Sequence, residues 1–205
     1  MIRNSIQKRH GVFSTGSMVK ISMLAALGTV LMLLDFPLPI FPGFLKFDLS
    51  DVPAVIGAFA MGPLAGVAVE LLKNILKIIV RSNTGGVGEL ANFLVGIAYV
   101  LPIALVHERW PNRKGVFWGS ALATVSGAVF AGLLNYFIFI PAYAVVLGYP
   151  VDAFIGMAAK INSAVVDLRT LVVFAIVPFN LVKGVAIAVC SFCLFKAMQP
   201  LFKTK

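Results

Sequence analysis

Long apolar blocks run through this chain, interrupted by short breaks rich in Pro, Gly or charge and by single polar residues set inside the blocks. The first block predicts a helix from about Met18 to Phe36. Pro37 to Ser50 holds Pro37, Pro39, Pro42 and Gly43, which a helix interior would not tolerate, so a loop is expected there. Asp51-Val52-Pro53 predicts a helix start, with Asp51 as N-cap and the proline inside the first turn. The apolar stretch Val52 to Val80 is broken by Gly62-Pro63 into a second and a third helix. The second, Val52 to Met61, is too short to cross an unperturbed bilayer alone and is expected to run obliquely or pack inside a bundle. A Gly-rich break at 83–88 precedes a fourth helix, about Glu89 to Val106, and a polar turn follows, His107 to Lys114. The fifth helix is predicted from about Gly115 to Ile140, ending at Pro141. Ala142 to Arg169 is expected to form an outer loop with room for a short interfacial helix. The sixth helix then runs from about Thr170 to Met198, with a kink at Pro178.

Composition turns this pattern into a membrane protein. Of 205 residues, 60% are apolar and only 12% charged, against about 45–50% and about 25% in ordinary soluble domains. At ~20 residues per span, the chain can supply about six crossings. The fold class expected is an all-α membrane protein, a six-transmembrane-helix bundle with both termini cytoplasmic. It forms one integral membrane domain, about 18–199, between a basic tail 1–17 and a short tail 200–205. A cleavable signal peptide is the rival for the first helix. The basic lead is long for one, and Asp35 with several prolines occupies the place of a small-residue cleavage site.

The net charge of +9 would suggest nucleic acid in a soluble protein. Here the positive-inside bias explains it, and no nucleic-acid partner is expected. Ten Lys/Arg, counting Lys20 and Lys196 at the adjoining helix ends, fall in or beside the N-tail, the 107–114 turn and the C-tail, against four in the opposite loops, which favours cytoplasmic termini. Cys190 and Cys193 lie in an apolar run and read as small hydrophobes. His10 and His107 sit in basic segments expected to be solvated. The chain shows no phosphate-binding loop and no Cys/His metal cluster, so neither an enzyme nor a cofactor is expected.

Polar side chains inside spans are costly enough to need partners or a watery cavity. Glu70, Lys73, Asn74, Lys77 and Arg81 recur at steps of three and four, on one helix face. One account is an internal pair of Glu70 with Lys73 or Asn74, with Lys77 and Arg81 snorkelling to the outer headgroups. Asn135 lies in the fifth helix, and Asn180 and Lys183 share a face of the sixth. At 1.5 Å per residue, Asn135 falls ~9 Å and Asn180 ~12 Å below the outer helix ends, and Lys183 and Glu70 ~16 Å below. Polar groups from three helices thus reach similar depth from one side, the pattern of an outward-open pocket. Helix-to-helix hydrogen bonding is the competing account. Asn amides offer a donor beside an acceptor. With Phe44, Phe47, Tyr136 and Phe179 nearby, they suit a flat heteroaromatic ligand with a polar arm. On the first helix, Ser22, Ala25, Ala26 and Thr29 follow i, i+3, i+4, i+7 as a small-residue face, for packing within the bundle or for docking another membrane protein.

Four runs carry a family resemblance: Lys46-Phe47-Asp48-Leu49-Ser50-Asp51-Val52-Pro53; Gly62-Pro63-Leu64-Ala65-Gly66 through Glu70-Leu71-Leu72-Lys73-Asn74; Thr84-Gly85-Gly86-Val87-Gly88-Glu89-Leu90-Ala91-Asn92-Phe93; and Asn180-Leu181-Val182-Lys183-Gly184. In their order and spacing they resemble the riboflavin-specific substrate-binding (S) components of bacterial energy-coupling factor (ECF) transporters. The resemblance implies a multi-pass protein of the bacterial cytoplasmic membrane that binds riboflavin, and often its phosphate FMN, near the outer surface. It also implies a complex with a transmembrane coupling subunit and two cytoplasmic ATPases. Its ligand positions map onto Leu45, Lys46, Glu70, Asn135, Asn180 and Lys183, and its coupling-subunit motif onto Ser22 and Ala26, with Ala25 and Thr29 adjacent. The alternatives are an S component for thiamin, biotin or a folate, and a structural or assembly membrane protein that takes no ligand.

Overall fold

The computed structural model describes residues 14–202, with side chains as far as Leu194. His10, most of the N-tail and residues 203–205 lie outside the described part. Helix α1, Thr15–Leu33, begins where the Ser14 hydroxyl accepts from the Ser17 amide at 3.3 Å, an N-cap that satisfies one orphan donor. Phe36, predicted as the end of this helix, belongs instead to a short hairpin. Strand β1 (Phe36–Pro37) pairs antiparallel with β2 (Lys46–Phe47), and the opposed Phe36 and Phe47 rings stand 5.6 Å apart. The Pro-rich loop therefore has structure of its own, because strands this short leave a proline at an edge where no ladder donor is missed.

Helix α2, Val52–Met61, packs inside the bundle, with Val52, Ala54, Val55 and Ala58 buried. Gly62 ends it at φ 99°, a left-handed conformation that residues with a Cβ avoid, and Pro63 opens helix α3, Pro63–Arg81. Asp51 precedes α2 as expected but makes no side-chain capping bond, because its carboxylate is engaged elsewhere. On α3, Glu70, Lys73, Asn74 and Lys77 all turn into the protein, and of this polar set only Arg81 is exposed. The snorkelling expected of Lys77 does not occur: its ammonium reaches the Met32 carbonyl at 3.2 Å, at the C-terminal end of α1.

Helix α4 runs Val87–Arg109 and α5 Arg113–Leu134, the latter capped by Asn112, whose side chain accepts from the Gly115 amide at 3.0 Å. His107, expected in a solvated turn, is part of α4, with its ring 4.7 Å from that of Phe59. The fifth helix does not stop at Pro141. A π-helical turn, Asn135–Phe139, carries α5 into α6, Ile140–Leu147. A proline lacks the N–H and crowds the carbonyl four residues back, and a wider turn just before it gives that carbonyl room. The outer segment holds α7, Val151–Ala159. A one-turn helix α8, Leu168–Leu171, follows, its capping box closed by Asp167 and Thr170. A second π turn, Val172–Ile176, then precedes Pro178, the second residue of α9, Val177–Phe202. The same device accommodates both prolines. The short α2 touches α1, α3, α4 and α9, which together enclose it.

Among the described residues, four stretches are long and apolar enough to cross a membrane: Thr15–Leu33, Val87–Arg109, Arg113–Leu147 and Leu168–Leu194. Helix α3 has the length but carries too many charges to read as a span, although all of those charges but Arg81 are buried. Exposed Leu, Ile, Val and Phe cover the outside, as lipid requires. One apolar core gathers Ile21, Val55, Val69, Tyr99, Ile103 and Ile187. A second joins Phe44 and Leu45 of the hairpin segment to Ile140, Phe154, Leu171 and Ile176, with Phe44 edge-on to Phe154 at 5.3 Å.

Candidate functional site

Between the hairpin segment, the 84–96 stretch and the π turns lies a cleft of about 200 Å³. The hairpin segment contributes Asp35, Phe44, Leu45, Lys46 and Asp48, α4 and the turn before it contribute Thr84, Glu89, Asn92 and Gly96, and the later helices contribute Asn135, Tyr143, Phe179, Asn180 and Lys183. The lining mixes flat apolar faces with converging polar groups, the usual make-up of a small-molecule site.

Both asparagines are fixed in the same way. Asn135 Nδ2 donates to the Ala131 carbonyl and Asn180 Nδ2 to the Ile176 carbonyl, each at 2.8 Å and each four residues back on its own helix. One N–H of each amide is thereby spent, and the second N–H and the Oδ1 acceptor remain. Tyr99 of α4 adds a brace by donating its hydroxyl to the Asn180 carbonyl. Glu89, buried at the edge of the cleft, accepts from Ser82 at 3.0 Å and Thr84 at 2.8 Å. Asn92 Oδ1 is buried without a protein partner.

Adjoining the cleft is a centre of five buried charged side chains, of which Asp48, Asp51 and Lys183 line it and Glu70 and Lys73 lie behind. Lys73 donates to Ser50 Oγ at 3.0 Å, to Glu70 Oε1 at 3.0 Å and to Asp51. Lys183 stands 3.1 Å from Asp48 Oδ2 and 3.3 Å from Asp51 Oδ2. Asp48 Oδ1 also accepts from the Ser50 amide at 2.8 Å. Ammoniums and carboxylates withdrawn from water survive only with such close pairing. Among the described residues, no group of three or more His, Cys, Asp or Glu is placed to hold a metal ion.

Of the six ligand positions expected from sequence, Leu45, Lys46, Asn135, Asn180 and Lys183 line the cleft. Lys46 is exposed at its edge, 3.6 Å from Asp35. Glu70 does not reach it. Its carboxylate is fully buried against Gly96, where an added Cβ would stand 2.8 Å from Glu70 Cδ, and Gly96 itself forms the lining. Glu70 pairs with Lys73 at 2.9 Å, one of the two internal bonds that its helix face allows. Phe44 and Phe179 line the cleft, whereas Phe47 packs on Phe36 and Tyr136 on Phe137. Sequence reasoning misses Asp48, Asp51, Glu89 and Asn92 as site residues. For Asp48 and Asp51 the one available signal is that two carboxylates lie close to spans holding more buried lysines than their own helices can neutralise.

The small-residue face of α1 splits in two. Ser22 and Ala26 point outward and are exposed, while Ala25 and Thr29 are buried within the chain. Thr29 Oγ1 donates to the Ala25 carbonyl at 2.8 Å and the Lys73 carbonyl at 3.3 Å. Ala25 and Thr29 therefore pack α1 on α3 and are not available to a partner. The i, i+3, i+4, i+7 set spans both sides of the boundary where α1 meets the bundle.

Comparison with known proteins identifies the family. The family model described as "ECF transporter, substrate-specific component" matches residues 16–195. The chain belongs to that family. As an S component it is 40% identical over 185 residues to the "Riboflavin transporter FmnP" of Bacillus subtilis (strain 168), covering 89% of this chain and 92% of the relative. It is 32% identical over 186 residues to the "Riboflavin transporter RibU" of Staphylococcus aureus (strain TCH60), covering 91% and 92%. A solved structure, described as "Structure and mechanism of the S component of a bacterial ECF transporter", superposes with a TM-score of 0.71 at 30% identity, covering 91% of this chain and 97% of that one. The family consists of membrane transport components rather than enzymes.

Proposed function

We propose that this S component is a high-affinity riboflavin-binding subunit that takes the flavin from outside and delivers it inward with an ATP-driven coupling module. The observation that carries the reading is that Asn135, Asn180 and Lys183, from two separate helical stretches, line one cleft together with Leu45 and Lys46. Relatives named as riboflavin transporters over nine-tenths of their length support it. The free N–H and Oδ1 of the two asparagines meet the polar edge of the isoalloxazine, Lys183 donates to a ring carbonyl, and Phe44 and Phe179 flank the rings. Leu45 and Lys46 close over the ligand from the hairpin segment. Glu70 pairs with Lys73 behind the lining and makes no contact with the flavin.

The chain is a single membrane domain of the bacterial cytoplasmic membrane with six helical spans, the short α2 among them, and cytoplasmic termini. The exposed Ser22 and Ala26 on α1 face the transmembrane coupling subunit, which two ATPases serve in turn.

Purified protein should be yellow, carry riboflavin identifiable by mass spectrometry, and quench the fluorescence of added riboflavin. Loss of a hydrogen bond worth about 1–2 kcal/mol lowers affinity roughly tenfold, and that is the effect expected of Asn135→Ala and of Asn180→Ala. Unchanged affinity in both variants would withdraw the cleft as the flavin site.

A further inference from the structure

Lys183 and Lys73 are both nearly sealed from solvent, but their donors are not used equally. Lysine has three N–H donors. Those of Lys73 go to Ser50, Asp51 and Glu70. Lys183 contacts two carboxylates, Asp48 at 3.1 Å and Asp51 at 3.3 Å, and it lines the cleft. Both partners come from the chain just after β2, about 135 residues away in sequence. The hairpin segment thus reaches across the bundle to hold an ammonium on α9. We propose that Asp48 and Asp51 are positioning residues for the ligand: they fix two of the three N–H groups of Lys183, so that the third points into the cleft, and they tie the segment over the cleft to the helix that grips the flavin.

The chemistry favours this over a direct role for Asp48. Its Oδ2 is taken by Lys183 and its Oδ1 by the Ser50 amide at 2.8 Å, so both oxygens face protein donors. A lysine side chain has four rotatable bonds and would otherwise sample many positions for its head. Two carboxylates held on the short backbone stretch 48–51 remove that freedom before the ligand arrives, which lowers the ordering cost of binding. Leu45 and Lys46 lie a few residues before Asp48 on the same segment, so the contact that aims Lys183 also holds the covering residues in place.

The inference rests on riboflavin binding in this cleft, and the test separates the two. Riboflavin affinity is measured by fluorescence quenching for the wild type, Asp48→Asn, Lys183→Met and the double variant. Asp48→Asn should weaken binding about tenfold, as expected for losing alignment of one charge-assisted hydrogen bond. In the Lys183→Met background the same change should cost little more. An Asp48→Asn protein that binds like the wild type overturns the inference, as does a loss that adds in full to that of Lys183→Met. Wild-type protein that binds no riboflavin overturns the binding reading itself, and this inference with it. Asp48→Glu keeps the charge of the buried centre and carries the test if the other variants do not fold. At saturating riboflavin its flavin carbonyl stretch, read by isotope-edited infrared difference spectroscopy, should move to higher frequency than in the wild type. An unmoved band with wild-type affinity counts against the proposal, since a purely structural carboxylate would leave both unchanged.

Discussion

Lys73 and Lys183 share one electrostatic centre but face different surroundings. Each ammonium is buried, and each contacts Asp51. Around Lys73 the partners close completely: a hydroxyl and two carboxylates take its three donors, and α1 packs against its stem, with Gly28 approaching closely enough that an added Cβ would stand 3.3 Å from Cδ. Around Lys183 the partners stop at two, and the remaining side is a cleft. The difference teaches how one electrostatic centre serves both the fold and the ligand. A fully paired buried charge gives a rigid floor, and a charge paired on two sides out of three gives a preformed donor.

The comparison is broken most forcefully at Lys73. Lys73→Met keeps the length of the side chain but leaves Asp51 and Glu70 buried with only Lys183 to answer them. Breaking a buried pair on one side costs about 3–5 kcal/mol. This variant should lose more thermal stability than Glu70→Gln, Asp48→Asn or either asparagine variant, visible in unfolding of the detergent-solubilised protein without ligand. A variant within a degree or two of the wild type would mean that the two lysines do not differ as their contacts suggest.

The charge count sharpens the comparison at Glu70. The centre holds three carboxylates, Asp48, Asp51 and Glu70, against two ammoniums, Lys73 and Lys183, an excess of one carboxylate. Glu70→Gln makes the count two against two with almost no change of shape. Lys73 retains Ser50 and Asp51, so stability should stay within about 1 kcal/mol of the wild type, far from the cost of breaking a pair. Riboflavin affinity should also hold, since Glu70 lies behind Gly96 and not in the cleft. A loss of affinity as large as that expected for Asn180→Ala would place Glu70 in contact with the ligand after all.

These contrasts also mark what periodicity can and cannot read. The Gly62-Pro63 break, the inward polar face of α3 as far as Lys77 and the convergence of Asn135, Asn180 and Lys183 on one cleft are legible, because each follows from a local pattern or a simple sum of helical rise, although the same sum also brings in Glu70, which lies behind the lining. The pairing of Lys183 with Asp48 is not, since it joins segments far apart in the chain and no spacing rule links them. Asp51 looks like a capping residue because the local sequence is that of a helix start, yet the buried ammoniums claim its carboxylate. Pro141 looks like a helix end because a regular α-helix could not pass it, and the π turn at Asn135–Phe139 lets the chain continue. Lys77 looks like a snorkelling side chain because helical rise gives its depth and not its direction: it turns inward to the end of α1.

The mildest test moves the same pairing chemistry out into water. Asp167, at the start of α8, accepts from the Thr170 amide and the Thr170 hydroxyl, both at 2.8 Å, and is fully exposed. These hydrogen bonds, the backbone one first, hold its carboxyl below the usual carboxylate range. A lowered folded-state pKa means the cap contributes fully above the ordinary carboxylate pKa and is lost as pH falls through the depressed value. Hydrogen exchange at the Thr170 and Leu171 amides should therefore speed up, relative to buried helix amides, only as the solution is acidified through that range. In Asp167→Asn this pH dependence should vanish. The cleft lies apart from this cap, so riboflavin affinity should not follow the same titration. An affinity that fell in step with the fraying of α8 would show that the outer end of the last helix, and not only the Lys183 centre, sets the geometry of the site.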